Sequence, residues 1–116
     1  MQKTKLAIPT KGRGGMKDTV SDVFGRAKSF TIIDVVGKEV TKVEVIQNPA
    51  ASYKHGAGPI VVKTLTDLGV NTVMASEFGP GVTTMLEHFN ITKVEVNRGT
   101  QVVEAIKEFL ESVIAF

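Results

Sequence analysis

Two β-branched segments, Ser29–Val36 and Glu39–Gln47, are separated only by Gly37-Lys38. A two-residue link between strands selects a primed turn, and glycine at its first central position predicts type II′. These 19 residues are therefore committed to a β-hairpin. The period then changes. Pro59 suits the first turn of a helix, where its missing N–H would be unpaired anyway. Ile60, Val61, Leu65 and Leu68 continue at helical spacing, and Gly69 stands at the stop. Thr72–Ala75 reads as a short strand buried on both faces. Gly79-Pro80-Gly81 opens a second helix with Val82, Met85, Leu86 and Phe89 on its apolar face. Lys93–Val96 is a further strand. Thr100 is the expected N-cap of a third helix facing inward through Val103, Ile106, Phe109, Leu110 and Val113. Lys3–Pro9 supplies the first strand.

The order is β-β-β-α-β-α-β-α. A hairpin followed by strand–helix alternation predicts an α/β fold with a mixed five-stranded sheet covered by helices. At 116 residues the chain is expected to be one domain, 1–116. In such sheets ligands bind beyond the carboxyl ends of the parallel strands, where helices begin. Three helix starts are glycine-rich, at Gly56/Gly58, Gly79/Gly81 and Gly99.

Composition narrows the chemistry. There is no cysteine, which removes disulfides, thiolate zinc sites, thiol catalysis and cysteine ligation of iron–sulfur clusters. A metal here must use His, Asp, Glu, backbone or exogenous ligands. No apolar run approaches the roughly 20 residues of a membrane span, and Met1–Lys5 leads into a strand without a signal-peptide core. A cytoplasmic protein is the expectation.

Net charge is +2 but unevenly placed: residues 1–28 carry about +5 and the remainder about −3. A basic first loop containing Lys11 and Arg13 suits a small anion or is simply solvated. The absence of aromatic interleaving and of a basic helix argues against nucleic acid. Thr10–Asp22, with Gly12, Gly14 and Gly15, reads as a mobile loop. Val20–Arg26 is expected to form a short helical turn with Val20, Val23 and Phe24 inward.

The segment His55-Gly56-Ala57-Gly58-Pro59 puts one of only two histidines before a glycine-rich helix start. A neutral imidazole ligates metals, and the free N–H groups of a helix start attract anions. His55 reads either as a metal or cluster ligand or as a loop histidine bonded to local backbone. One imidazole does not hold zinc, which takes three or four protein ligands. It is sufficient as the single protein bond to a preassembled cofactor. The glycines fit neither a Walker A loop nor a dinucleotide fingerprint. His88 falls at the edge of the second helix's apolar face and reads as structural or surface. Asp18, Asp22 and Asp34 have no spacing that fixes them together, and Ser21 and Ser52 lack a nucleophile-elbow context.

Taken in order, Ala7-Ile8-Pro9, Val20-Ser21-Asp22-Val23-Phe24-Gly25-Arg26-Ala27, Phe30-Thr31-Ile32-Ile33-Asp34, Asn48-Pro49-Ala50 and His55-Gly56-Ala57-Gly58-Pro59 resemble the dinitrogenase iron–molybdenum cofactor biosynthesis family. That family includes the NifX and NafY carriers and the C-terminal domain of NifB. The resemblance covers roughly residues 3–112. It implies a three-layer α/β/α, ribonuclease H-like fold without importing nuclease activity. It also implies a non-enzymatic carrier that binds an iron–sulfur or iron–molybdenum-type cluster and exchanges it with donor and acceptor proteins. His55 matches the family's His-Gly-x-Gly position and takes the metal-ligand role by that match. Gly56, Ala57 and Gly58 take backbone-donor roles, with Arg26 and Arg13 as anion partners. Two other readings stay open: a metal-free regulatory or adaptor module for a small anionic metabolite or a partner protein, and a hydrolase requiring clustered carboxylates.

Overall fold

The computed structural model describes residues 2–53, 56–79 and 81–114, the last two by backbone only. Five strands, β1 (Lys3–Thr10), β2 (Ser29–Val36), β3 (Glu39–Gln47), β4 (Thr72–Ala75) and β5 (Thr92–Glu95), form one sheet in the order β3-β2-β1-β4-β5. The helices are α1 (Ala57–Asp67), α2 (Val82–His88) and α3 (Val102–Ile114), with 3-10 turns at Gly15–Lys17 and Phe24–Arg26.

The hairpin forms as the sequence requires. Val36 pairs with Glu39, and Gly37 has φ 62 whereas Lys38 has no positive φ. That combination fits type II′ and rules out I′, which needs two positive values. β1 pairs antiparallel with β2 and parallel with β4, and β4 pairs parallel with β5. Pro9 is tolerated inside β1 because pairing with β4 involves only Leu6 and Ala7.

Strand alternation divides the core in two. Ala7, Phe30, Ile32 and Val73 face α1 and α2 and meet Val61, Val62, Leu65 and Leu86. Leu6, Ile8, Ile33 and Met74 face the other way and meet Val102, Ala105 and Ile106 of α3. This is the expected three-layer α/β/α arrangement, and all four residues of β4 are buried.

Several local expectations are corrected. Leu68, Phe89 and Val103 are 38%, 41% and 41% exposed. On α3 the buried stripe begins one residue earlier, at Val102, and runs through Ala105 and Ile106 to the half-buried Phe109 and Leu110. Val103 is thereby turned about 100° off that stripe. Val113 lies outside the described side chains. Thr100 is not the N-cap. Gln101 directly precedes the helix, and its carbonyl accepts the N–H groups of Glu104 and Ala105. The Thr100 carbonyl is instead used across the chain by Val20 N–H, at 2.8 Å. Val20 and Phe24 are buried as expected, whereas Val23 is only half-buried.

The loop expected to be mobile is tied down in its second half. The Asp18 carboxylate accepts the N–H groups of Gly12, Gly14 and Thr19. Val102 N–H donates to Asp18 O and Gly99 N–H to Val20 O. Residues 18–20 thus bridge the end of β1 to the start of α3. No helix among the described residues is long and apolar enough to cross a membrane.

Candidate functional site

β1, β4 and β5 run parallel, and β3, antiparallel to β2, shares their direction. Their ends at Thr10, Ala75, Glu95 and Gln47 therefore lie along one edge of the sheet, and the chain proceeds from that edge into the helices. Gly56 and Gly81 precede α1 and α2 in left-handed geometry, with φ 72 and 79. Gly56, at the N-cap of α1, has no side chain to cap the first turn, so its leading N–H groups are not satisfied from within the helix.

Two glycines set how closely these segments approach. A Cβ on Gly58 would lie 2.6 Å from Cγ2 of Val82, the first residue of α2. A Cβ on Gly25 would lie 3.3 Å from the Gly58 nitrogen. The 3-10 turn, the start of α1 and the start of α2 thus converge because two side chains are missing. Val82 is buried and β-branched, so it has little freedom to withdraw. Gly58→Ala is expected to cost about 1–3 kcal/mol through overpacking. Adding Val82→Ala should recover part of that loss, giving a coupling of about 1 kcal/mol or more in a denaturant-monitored double-mutant cycle. Strict additivity would show that the helix starts do not share this contact.

An aromatic group supports the junction. The buried Phe24 ring lies 5.5 Å from Phe30 and 5.7 Å from Phe78. Phe78 in turn has the Lys93 ammonium 5.3 Å from its centroid. Phe24 N–H donates to Glu77 O at 2.9 Å, which fastens the turn to the loop after β4.

Asn48 locks the other side. It is buried, and its side-chain N–H2 donates to the carbonyls of Gly25 and Ala27 at 3.2 and 2.8 Å. Its side-chain oxygen accepts Ala50 N–H at 2.9 Å. In the sequence Asn48-Pro49 marks the end of a strand and part of a family-like motif, without showing what the Asn48 side chain holds. The bond to a backbone N–H two residues on is an Asx turn, and an Asn in a loop is the signal that points to one.

The expected site residues divide as follows. His55 lies outside the described residues. Gly56 is exposed with open space at its Cβ position, Ala57 is buried, and Gly58 is half-buried against Val82. Arg26 is exposed on the turn that meets α1, and its Nη1 donates to Tyr53 O at 2.5 Å. Arg13 lines a cavity with Lys28, Ser29, Gln47 and Ala51. Asp18, expected to be solvated or capping, organises its own loop. His88 is exposed and packs edge-on against Phe89, with centroids 5.0 Å apart. Among the described residues, no three His, Asp or Glu side chains gather as a metal-binding group, so the hydrolase reading gains no two-metal centre.

Comparison with known proteins places this geometry in context. The profile of the dinitrogenase iron–molybdenum cofactor family matches residues 4–112. An uncharacterised protein of Methanocaldococcus jannaschii is 29% identical over 107 residues, spanning 92% of this chain and 86% of that protein. A Thermotoga protein solved by NMR under a provisional NifB label is 36% identical and superposes with a TM-score of 0.77, over 95% of this chain and 90% of its own. The apo form of the orange protein from Desulfovibrio gigas is 25% identical with a TM-score of 0.85, over 95% and 89%.

Proposed function

Because this chain belongs to the dinitrogenase iron–molybdenum cofactor family, we propose that it is a non-enzymatic carrier of an anionic iron–sulfur or iron–molybdenum-type cluster. It would receive that cargo from a donor protein and pass it to an acceptor in the cytoplasm. The observation that carries the reading is the start of α1. Its N-cap is a glycine with no capping side chain, no described neighbour crowds the Cβ position of Gly56, and the turn bearing Arg26 packs against it through Gly25. Backbone N–H groups of Ala57 and Gly58 supply partial positive charge to an anion, and Arg26 adds a full one. His55, directly before this start in sequence, supplies one bond to a metal of a cluster that brings its other ligands with it. A single imidazole bond suits transfer, because one ligand exchange releases the cargo. Arg13, in a cavity that Lys28 and Ala51 also line, is a further anion partner in this scheme.

Two relatives support the direction. One carries a NifB label and another is described as an apo form, a word that presupposes a bound group. The experiment is anaerobic titration of the protein with an isolated iron–sulfur or iron–molybdenum cluster, read by visible absorbance. His55→Ala should weaken binding at least about tenfold, as expected from loss of a bond worth more than about 1.4 kcal/mol. Unchanged affinity in His55→Ala removes the ligand role. The metal-free reading shares the α1 start and predicts that inorganic phosphate protects against thermal unfolding equally in both proteins.

A further inference from the structure

We infer that the outer edge of β3 is a self-complementary interface through which two copies of this chain pair antiparallel about Val43, joining their sheets into one. β3 is nine residues long and terminates the sheet of described strands, whereas the opposite edge, β5, has only four residues. A long open edge is a template for a further strand. Its sequence decides which strand fits.

Antiparallel pairing of a strand with itself is fixed by its centre. Centred on Val43, Lys42 stands opposite the partner's Glu44, and Glu44 opposite the partner's Lys42. Centring on Lys42 or Glu44 sets like charges against each other. Centring on Val45 leaves both charges without an opposite partner. Of these four registers only the one centred on Val43 pairs opposite charges, and such cross-strand pairs favour it.

The inner strand reinforces the choice. Asp34 of β2 is already opposite Lys42, so a row of alternating sign, Asp34, Lys42 and the partner's Glu44, runs across the junction. On the other face Ile33 is opposite Val43, and Val43 is 40% exposed. Pairing extends that apolar row across the two-fold axis and covers it. Lys42 and Glu44 are 63% and 46% exposed and 3.8 Å apart in the single chain, so both are available to the second copy.

The sheet also limits the association. Val35 pairs with Val40 and Asp34 with Lys42, which leaves Thr41 as the extra residue of a bulge. Bulges kink an edge and end pairing, confining the new ladder to about Thr41–Val45. The result is a closed two-fold dimer with the same patch used on both sides. Because the two β3 strands run oppositely, the candidate sites at the ends of the parallel strands lie at opposite ends of the joined sheet.

Sedimentation velocity on the full chain, across a concentration series to the millimolar range, tests this. The parent should shift from one-chain to two-chain mass. Lys42→Glu and Glu44→Lys should each weaken the dimer at least about tenfold, with a cooperative thermal unfolding transition as evidence that each folds. An equimolar mixture of the two variants should dimerise again, because one chain then presents two acids and the other two lysines. A parent that stays monomeric, single variants that dimerise like the parent, or a mixture that stays monomeric would each overturn the inference.

Discussion

Asn48→Ala should lower the free energy of unfolding by about 3 kcal/mol, measured by urea denaturation. The side chain joins two segments remote in sequence, holding the Gly25 and Ala27 carbonyls on one and the Ala50 N–H on the other. Alanine leaves all three without their partner. A buried polar group abandoned in this way costs about 1–3 kcal/mol. Asn48→Asp separates the donor's share. A carboxylate still accepts Ala50 N–H but points negative charge at two carbonyl oxygens. Burial and those oxygens raise the new carboxyl's pKa above its unfolded value, so the folded state is relatively favoured when the group is protonated. Stability of the Asp variant should therefore be greatest below the unfolded carboxylate value, about pH 4, and be lost as pH rises through the folded value. A deficit that does not change with pH between 4 and 7 would mean that Asn48 is not donating to those carbonyls.

Phe24→Ala is the second large effect. The ring is fully buried between Phe30 and Phe78, and truncating a core phenylalanine costs about 3–5 kcal/mol. For a domain of this size the melting temperature should fall by roughly 15 °C or more. The loss should also be felt at the candidate site, because Gly25 follows directly and packs on Gly58. Faster hydrogen exchange at the Gly25 and Arg26 amides is expected, while Phe24→Leu should show the smaller loss of a partly filled cavity. A melting temperature within a few degrees of the parent would mean that Phe24 does not hold the turn in place.

These residues also show where local pattern stops being informative. The hairpin was readable because its information is local: β-branched runs and a glycine that accepts φ 62. β4 was readable as a short apolar run, and the starts of α1 and α2 as glycine–proline punctuation. Burial at the margins of helices was not. Leu68, Phe89 and Val103 follow helical spacing yet remain exposed. What covers a marginal residue is a neighbouring element, and periodicity does not specify where that neighbour ends. The α3 stripe is hidden in the sequence because Ala105, a small residue, is central to it, whereas bulky side chains dominate an apolar pattern. Residue type favours Thr100 as a cap, but its carbonyl is committed to Val20, 80 residues earlier in the chain.

At the candidate site, His55, Gly56 and Gly58 stood out by composition and adjacency, and Arg26 by motif. Charge alone marks Arg13, and the fold sets it in a cavity with Lys28 and Ala51. Gly25 and Asn48 lie inside the family-like motifs and Val82 on an apolar helix face, but no local pattern marks their contacts. They matter through a 2.6 Å limit, a 3.3 Å limit and two bonds spanning more than 20 residues. By itself the sequence determined the order of elements, the two-sided apolar patterning of the sheet and the absence of thiol chemistry. These follow from period, turn residues and composition, which act over a few positions at a time. The tertiary structure decided which helix starts touch, which glycines are required for their approach and which polar side chain is buried between them. Those depend on distances between segments remote in the chain, and only packing sets such distances.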